Sequence, residues 1–307
     1  MKYAYYPGCS VKSTGSAYEE SLLEVLKVLG VEVEEIEDWN CCGATAYMSV
    51  NDSLSFALAA RNLALAEKQQ RDMLAPCAAC YLVMEKTKRY MHEHPHLRER
   101  IQRGLTAAGL NYSEQVNVRH PLDVIVNEVG LDAVKAMVKK PLKGLKVAPY
   151  YGCQVVRPYS TFDHQTYPVL MDRLLQAAGA TVVPYPLKTR CCGGSLTGTV
   201  KEVGVRMAWV LLREAKKRGA DVITTLCPLC NFNLDSYQDE VIPEQQRVSI
   251  PTTYFTQLLG LALGVPESRL GFNRHIVSVR PVLDALARGA QAKDTPAKAG
   301  AVPAGRS

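Results

Sequence analysis

The sequence contains no apolar run that reaches the roughly 18 residues of a membrane-spanning helix. Its first ten residues, MKYAYYPGCS, show no charged segment followed by an apolar stretch. Neither a membrane span nor a secretory leader is therefore expected, and a cysteine at position 9 speaks against cleavage there. Charge of one sign is also in short supply. The formal net charge is only +6, with lysines and arginines spread among glutamates. No basic stripe or nucleic-acid motif occurs, so a nucleic-acid partner is not expected. The cysteines, finally, leave no remainder: all ten fall into two sets of five, at 9, 41, 42, 77 and 80 and at 153, 191, 192, 227 and 230. Grouped cysteines in a chain without a leader point to a reduced, cytoplasmic setting and to metal or redox chemistry.

What is present fits a globular protein of about two domains: 307 residues, 47% hydrophobic and 21% charged. The two cysteine sets read C-x31-CC-x34-C-x2-C and C-x37-CC-x34-C-x2-C, and their surroundings repeat as well. YYPGC (5–9) answers YYGC (150–153). LLEVLKVLGVEV (22–33) answers LMDRLLQAAGATVV (170–183), and DMLAPCAAC (72–80) answers DVITTLCPLC (221–230). VNVRHPLDVI (116–125) is paired with QRVSIPTTYF (246–255). A whole unit is written twice.

Each unit alternates strand and helix. In the first, strands are expected at 2–6, 31–36 and 71–74 and helices at 16–29, 53–70 and 80–92. Ser16 and Glu19 match a capping box, and Gly30 matches a helix stop. In the second, strands are expected at 145–150, 180–185 and 221–226 and helices at 167–178, 199–218 and 230–238. This predicts an α/β fold of two duplicated Rossmann-like units with parallel sheets. Each cysteine motif then lies at the C-terminal end of a strand, where open α/β sheets gather their ligands. The first unit is placed at 1–144, with an insertion at about 93–113 and a joining segment at 130–144. The second is placed at 145–287, and the Ala/Gly/Pro/Lys-rich tail 288–307 is expected to be disordered.

Five cysteines per unit constrain the chemistry. Disulfide pairing leaves an odd thiol in each unit. A structural zinc site needs four thiolates and would idle one of the adjacent pair in both copies. C-x2-C suits an iron–sulfur cluster equally well, yet a cubane also needs only four. The fifth is then either a free reactive thiol beside the cluster or a further ligand of an opened one, and both versions point to thiol or disulfide chemistry. Gly43 and Gly193 follow the paired cysteines. A glycine there permits a positive φ and a close backbone approach, or simply makes a turn.

These motifs resemble the CCG domains of the heterodisulfide reductase B-subunit family over nearly the whole chain, residues 1–263. The resemblance implies two noncubane [4Fe-4S] clusters. One would be held by Cys9, Cys41, Cys42, Cys77 and Cys80, the other by Cys153, Cys191, Cys192, Cys227 and Cys230. It implies an oxidoreductase in which chemistry centres on Cys41, Cys42, Cys191 and Cys192. A disulfide is cleaved to two thiols, or thiols are oxidised in reverse. The implied partners are a ferredoxin-like iron–sulfur subunit and a flavin-bearing subunit, and the substrate is a small thiol or disulfide or a protein-bound thiol. Relatives in lactate and glycolate oxidation often lack a complete C-x2-C, whereas both copies here are complete, as CAAC and CPLC. GATAY after the first pair leans toward a bacterial, sulfur-metabolism type. The alternative from another class is a non-catalytic electron relay to a quinone-linked or flavin partner.

Arg157, His164, Lys188 and Arg190, with Lys12 in the first unit, are candidates for substrate charge and proton delivery. Taken singly, each is more simply a surface charge. Arg190 leads them because it abuts Cys191. His92, His94 and His96 read as an exposed loop, and His120 before Pro121 as a cap or packing residue.

Overall fold

A computed structural model describes residues 1–44, 47–240 and 244–291. Among them, eight strands form two four-stranded sheets, every neighbouring pair parallel. The first sheet runs β2-β1-β3-β4, with β1 at Lys2–Tyr5, β2 at Glu32–Glu35, β3 at Met73–Leu74 and β4 at Val118–Arg119. The second runs β6-β5-β7-β8, with β5 at Lys146–Tyr150, β6 at Thr181–Val182, β7 at Val222–Thr225 and β8 at Thr252–Tyr254. The duplicated α/β architecture expected from the repeats is thus observed. Parallel strands must be joined by crossovers, which leave helices on both faces. The central strands are accordingly buried: Tyr3, Ala4 and Tyr5 are covered, as is all of Val222–Thr225. The edge strand β2 differs, since Glu32, Glu34 and Glu35 are exposed and pair with Lys2, Arg71 and Lys12. A charged edge discourages pairing with another chain.

The helices lie close to their expected places, at Ser16–Val28, Asp52–Lys68, Ala78–Glu93, Leu170–Ala177, Lys201–Lys217 and Pro228–Ser236. Gly30, at φ +71°, ends the first of them. Four details differ from the sequence reading. The N-cap of Ser16–Val28 is Gly15, without a side-chain cap, because Glu19 is drawn to Lys12 instead. The histidine segment is exposed as expected but is no loop: His92 lies in the last turn of one helix, His94 is the junction, and His96 lies in a second helix, Pro95–Ala107, started by its proline. That helix occupies the insertion. The pairing of 116–125 with 246–255 has the right topology but the wrong register. Met73 and Leu74 oppose Val118 and Arg119, whereas Ile223, Thr224 and Thr225 oppose Thr252, Thr253 and Tyr254. His120 therefore corresponds to Tyr254, not to Ile250. Aligning Pro121 with Pro251 misplaces it, since Pro121 opens a helix and Pro251 precedes a strand. The tail, finally, begins in a helix, Arg280–Gln291, that runs four residues past the expected boundary. Residues 292–307 lie outside the described residues. Among the described residues no helix is long and apolar enough to cross a membrane.

The units exchange helices across their boundary. Ser16–Val28 of the first packs on Phe255–Ala262 of the second, and Leu170–Ala177 of the second packs on Pro121–Asp123 of the first. At the first contact Tyr18 stacks on Tyr254 with ring centroids 4.6 Å apart, and Ser21 Oγ meets Thr256 Oγ1 at 2.7 Å. Both contacts are buried, and the apolar cores of the two units form one continuous cluster.

Candidate functional site

Parallel strands place all their C-terminal ends at one edge of each sheet, and the cysteines collect there. Cys9 and Cys77 follow the two central strands β1 and β3, and Cys41 and Cys42 follow β2. Cys153, Cys227 and the pair Cys191–Cys192 repeat this after β5, β7 and β6. All ten are free thiols. In the first unit Cys9 Sγ lies 3.9 Å from Cys41 Sγ, and Cys42 Sγ 3.2 Å from Cys80 Sγ. In the second, Cys192 Sγ lies 3.5 Å from Cys230 Sγ, matching the Cys42–Cys80 contact. Cys191 interacts with Cys153 as Cys41 does with Cys9.

The glycine after each pair has the backbone expected of it, with φ +79° at Gly43 and +82° at Gly193. That turn aims an N–H at sulfur: Gly43 N lies 3.5 Å from Cys41 Sγ and Gly193 N 3.4 Å from Cys191 Sγ. Gly194 adds a third such contact, 3.4 Å to Cys192 Sγ. N–H groups directed at sulfur stabilise thiolate charge. Cys77 and Cys227 are the N-caps of Ala78–Glu93 and Pro228–Ser236, where the helix dipole acts the same way.

The two groups meet. Cys77 and Cys227, both fully buried, face each other across the unit boundary. The hydrogen bond to Cys227 raises the Cys77 thiol above its ordinary value, while hydrogen bonds from Cys230 and then Cys77 hold Cys227 below it. Tyr18 and Tyr254 are packed beside this junction and feel the charge of both sulfurs.

Several supporting residues escaped the sequence reading, although the shared Tyr-x-Gly-Cys carried a signal for two pairs of them. Tyr6 donates to the carbonyl of Asn40 at 2.8 Å, and Tyr150 to that of Arg190 at 2.6 Å. In each unit the tyrosine thus ties the first cysteine loop to the residue before the Cys-Cys pair. Gly8 and Gly152 have φ +71° and +72°, and a Cβ there would lie 3.0 Å from Cys80 Sγ and 3.1 Å from Cys230 Sγ. Asn233 Nδ2 donates to the Cys192 carbonyl at 2.6 Å. His120 is both cap and packing residue. Its Nδ1 accepts from Leu122 N at 3.2 Å, and its Nε2 lies 3.1 Å from the carbonyl of Pro76, next to Cys77. Burial pushes its pKa down to about 4.

The basic candidates divide. Arg157 lies by the second group: its N–H donates to the Cys153 carbonyl at 3.0 Å, and its guanidinium donates to the carbonyl of Thr189. The Cys191 thiol is held well below its ordinary value, first by the hydrogen bonds from Cys153 and Cys192, then by Gly193 N–H and the charge of Arg157. Lys188 is 2% exposed and bonded to Asp172 Oδ1 at 2.6 Å and to the carbonyl of Pro168 at 3.0 Å. Its own carbonyl accepts from Tyr151 and Gly152, so it braces the loop of Cys153 and offers no free charge. His164 is exposed and accepts from Thr166 and Tyr167 N–H, which makes it a turn organiser. Lys12 is neutralised by Glu19 and Glu35 at 2.8 Å each. Arg190 is exposed, and what its backbone does is receive Tyr150. Adjacency in sequence to Cys191 does not aim its side chain at the sulfur.

The donor set suits iron and sulfide. It is wholly thiolate, built of close pairs, and cradled where a Cβ on Gly8 or Gly152 would crowd a cysteine sulfur. Among the described residues no three cysteine, histidine or carboxylate groups converge on one point as a lone ion requires. Tyr18 Oη, buried beside Cys227 and Cys77, has no hydrogen-bond partner among the described residues. An acceptor sulfur there would supply one.

Comparison with known proteins agrees. The CCG cysteine-rich domain matches residues 3–85 and again 147–235. The chain is 32% identical over 90% of its length to the 8-methylmenaquinol:fumarate reductase membrane anchor subunit of Wolinella succinogenes, covering 97% of that protein. It is 30% identical over 90% of its length to the B subunit of the ferredoxin/F420H2-dependent CoB-CoM heterodisulfide reductase of Methanosarcina acetivorans, covering 94% of that protein. A crystal structure of a hypothetical protein from Helicobacter pylori shares the fold, with a TM-score of 0.73 at 14% identity, over 91% of this chain and 52% of that longer one. With both CCG domains present and their cysteines gathered at matching sheet edges, the chain belongs to the heterodisulfide reductase B-subunit family.

Proposed function

We propose that this chain is the iron–sulfur subunit of an oxidoreductase complex and its site of disulfide chemistry. It reduces a disulfide with two electrons and two protons to two thiols, or runs in reverse. The observation that carries this is the pair of five-thiol groups that meet at Cys77 and Cys227. Each group would hold a noncubane [4Fe-4S] cluster through all five cysteines. Such clusters, when bound, supply one-electron steps and an iron open to incoming sulfur. The protein supplies the rest. Gly43, Gly193 and Gly194 N–H groups stabilise charge on the cysteine sulfurs. Cys9 and Cys41 are exposed and Cys153 and Cys191 half-buried, which leaves access from solvent, while the Cys77–Cys227 junction is sealed against water. Arg157 provides positive charge for an anionic thiol end. A ferredoxin-like subunit and a flavin-bearing subunit are the proposed partners.

The test is iron and sulfide per chain in anaerobically purified protein, with EPR of an oxidised sample before and after adding thiols. Two four-iron clusters and a thiol-induced signal support the proposal. Zinc without iron ends it. Cys42→Ser and Cys192→Ser variants that keep intact clusters and full thiol–disulfide turnover would refute five-cysteine ligation. The relationship to a fumarate reductase subunit favours a second reading, a relay that passes electrons to a quinol-linked enzyme. A relay keeps its iron but shows no spectral response to thiols.

A further inference from the structure

Duplication makes the two groups look alike, and the charge around them shows that they are not. Ser13 stands four residues after Cys9, and Arg157 four residues after Cys153. Both touch the carbonyl of that cysteine, Ser13 through Oγ at 2.8 Å and Arg157 through its N–H at 3.0 Å. One position therefore carries a neutral hydroxyl in the first unit and a cation in the second. The guanidinium of Arg157 donates to a carbonyl oxygen, that of Thr189, and among the described residues no carboxylate forms an ion pair with it. Thr189 lies two residues before Cys191. The residue two before Cys41 is Trp39, whose indole N–H donates to Glu35 at 3.0 Å. Lys12, the cation nearest in sequence to Cys9, is outnumbered by its two glutamates. Beside the first group the cation Lys12 is thus covered by two carboxylates, while beside the second Arg157 keeps its charge and acts on Cys191.

Resting on the reading above, we infer that Arg157 makes the second cysteine group the more oxidising of the two, so that an electron delivered by a one-electron donor settles first beside Cys191 rather than beside Cys41. A positive charge near thiolate-bound iron favours the reduced, more negative state. The transfer is a single-electron exchange: the first group is reoxidised as the second is reduced, and no bond is made or broken. The more exposed thiols, Cys9 and Cys41, belong to the group that gives the electron up. The first unit is then the entry side and the second the side where charge accumulates before a disulfide is cleaved.

The experiment is an anaerobic redox titration of the intact chain, followed by EPR and visible absorbance, with Cys192→Ser used to assign the second wave. Two separate waves are expected in the wild type. Arg157→Gln should move only the second to lower potential, by about tenfold in its partition against the first, or about 59 mV for a one-electron couple. Arg157→Lys, which keeps the charge but not the planar fork, should leave it in place. Ser13→Lys should raise the first. Equal shifts of both waves, no shift in Arg157→Gln, or an equal shift in Arg157→Lys would overturn the inference, the last because loop geometry would then be the cause. A protein without iron overturns the proposed function itself, and this inference with it.

Discussion

His120 should make the fold sensitive to mild acid in a calculable way. The imidazole is fully buried between the two units' packing layers, stacked on Phe162 with centroids 6.0 Å apart and edge-on to Tyr81. It is held as a neutral ring, accepting from Leu122 N–H and donating toward Pro76. Protonation would turn the acceptor nitrogen into a donor facing another donor. Burial lowers its pKa from 6.5 to about 4. The unfolded chain therefore takes up a proton between pH 6.5 and 4 that the native state refuses, and stability is lost as pH falls through that window. The full linkage is about 3 kcal/mol, of which about 2 kcal/mol is lost between pH 7.5 and 5. Against a typical stability of about 5–15 kcal/mol this is a large share. The assay is denaturant unfolding of anaerobic protein at a series of pH values, for wild type and His120→Gln. The variant is expected to be less stable at pH 7.5 but flatter with pH, so the two curves converge on acidification. Parallel loss in both proteins would mean that His120 takes up its proton equally in the native and unfolded states, which would refute the lowered pKa.

Gly8→Ala and Gly152→Ala should each lower iron retention after reconstitution, because the new Cβ lies about one atom's contact from a cysteine sulfur. Gly30→Ala, with the same φ of +71° and nothing within 4 Å, should cost only backbone strain, about 1 kcal/mol, and keep full iron. Lys188→Met leaves the half-buried Asp172 carboxylate without its cation, held only by the Tyr151 hydroxyl, and should cost about 3 kcal/mol in denaturant unfolding. Lys188→Met with Asp172→Leu should recover part of that loss, and a simple sum of the single effects would contradict a coupled pair. Tyr18→Phe should leave the thermal stability of the metal-free chain unchanged or slightly raised, since the hydroxyl has no partner there. A loss above about 1 kcal/mol would reveal one.

The residues that local pattern controls were legible in the chain. Strand, helix and glycine stop follow from side-chain period and backbone freedom within a few residues, so β1 and the helix Ser16–Val28 lie where expected. The grouping of the ten cysteines was legible too, because a parallel sheet sends every strand end to one edge. Where the reading leaned on adjacency it failed. Arg190 neighbours Cys191 and yet leaves its side chain in solvent, while Arg157, thirty-four positions away, is the cation that reaches the Cys191 loop. The pairing of 116–125 with 246–255 implied a register for β4 and β8 that hydrogen bonding does not adopt.

By itself, then, the sequence determined the duplication, the α/β alternation and the placing of the cysteines in two sets at the strand ends, all of which depend on spacing along one unit. Only the tertiary structure decided that Cys77 and Cys227 confront each other, that Lys188 is a buried brace, and that Lys12 is paired with two glutamates while Arg157 donates to a carbonyl. Those features depend on which side chains are brought together by packing between units and between distant loops. That is a property of the folded core, with its exclusion of water, and no local pattern encodes it.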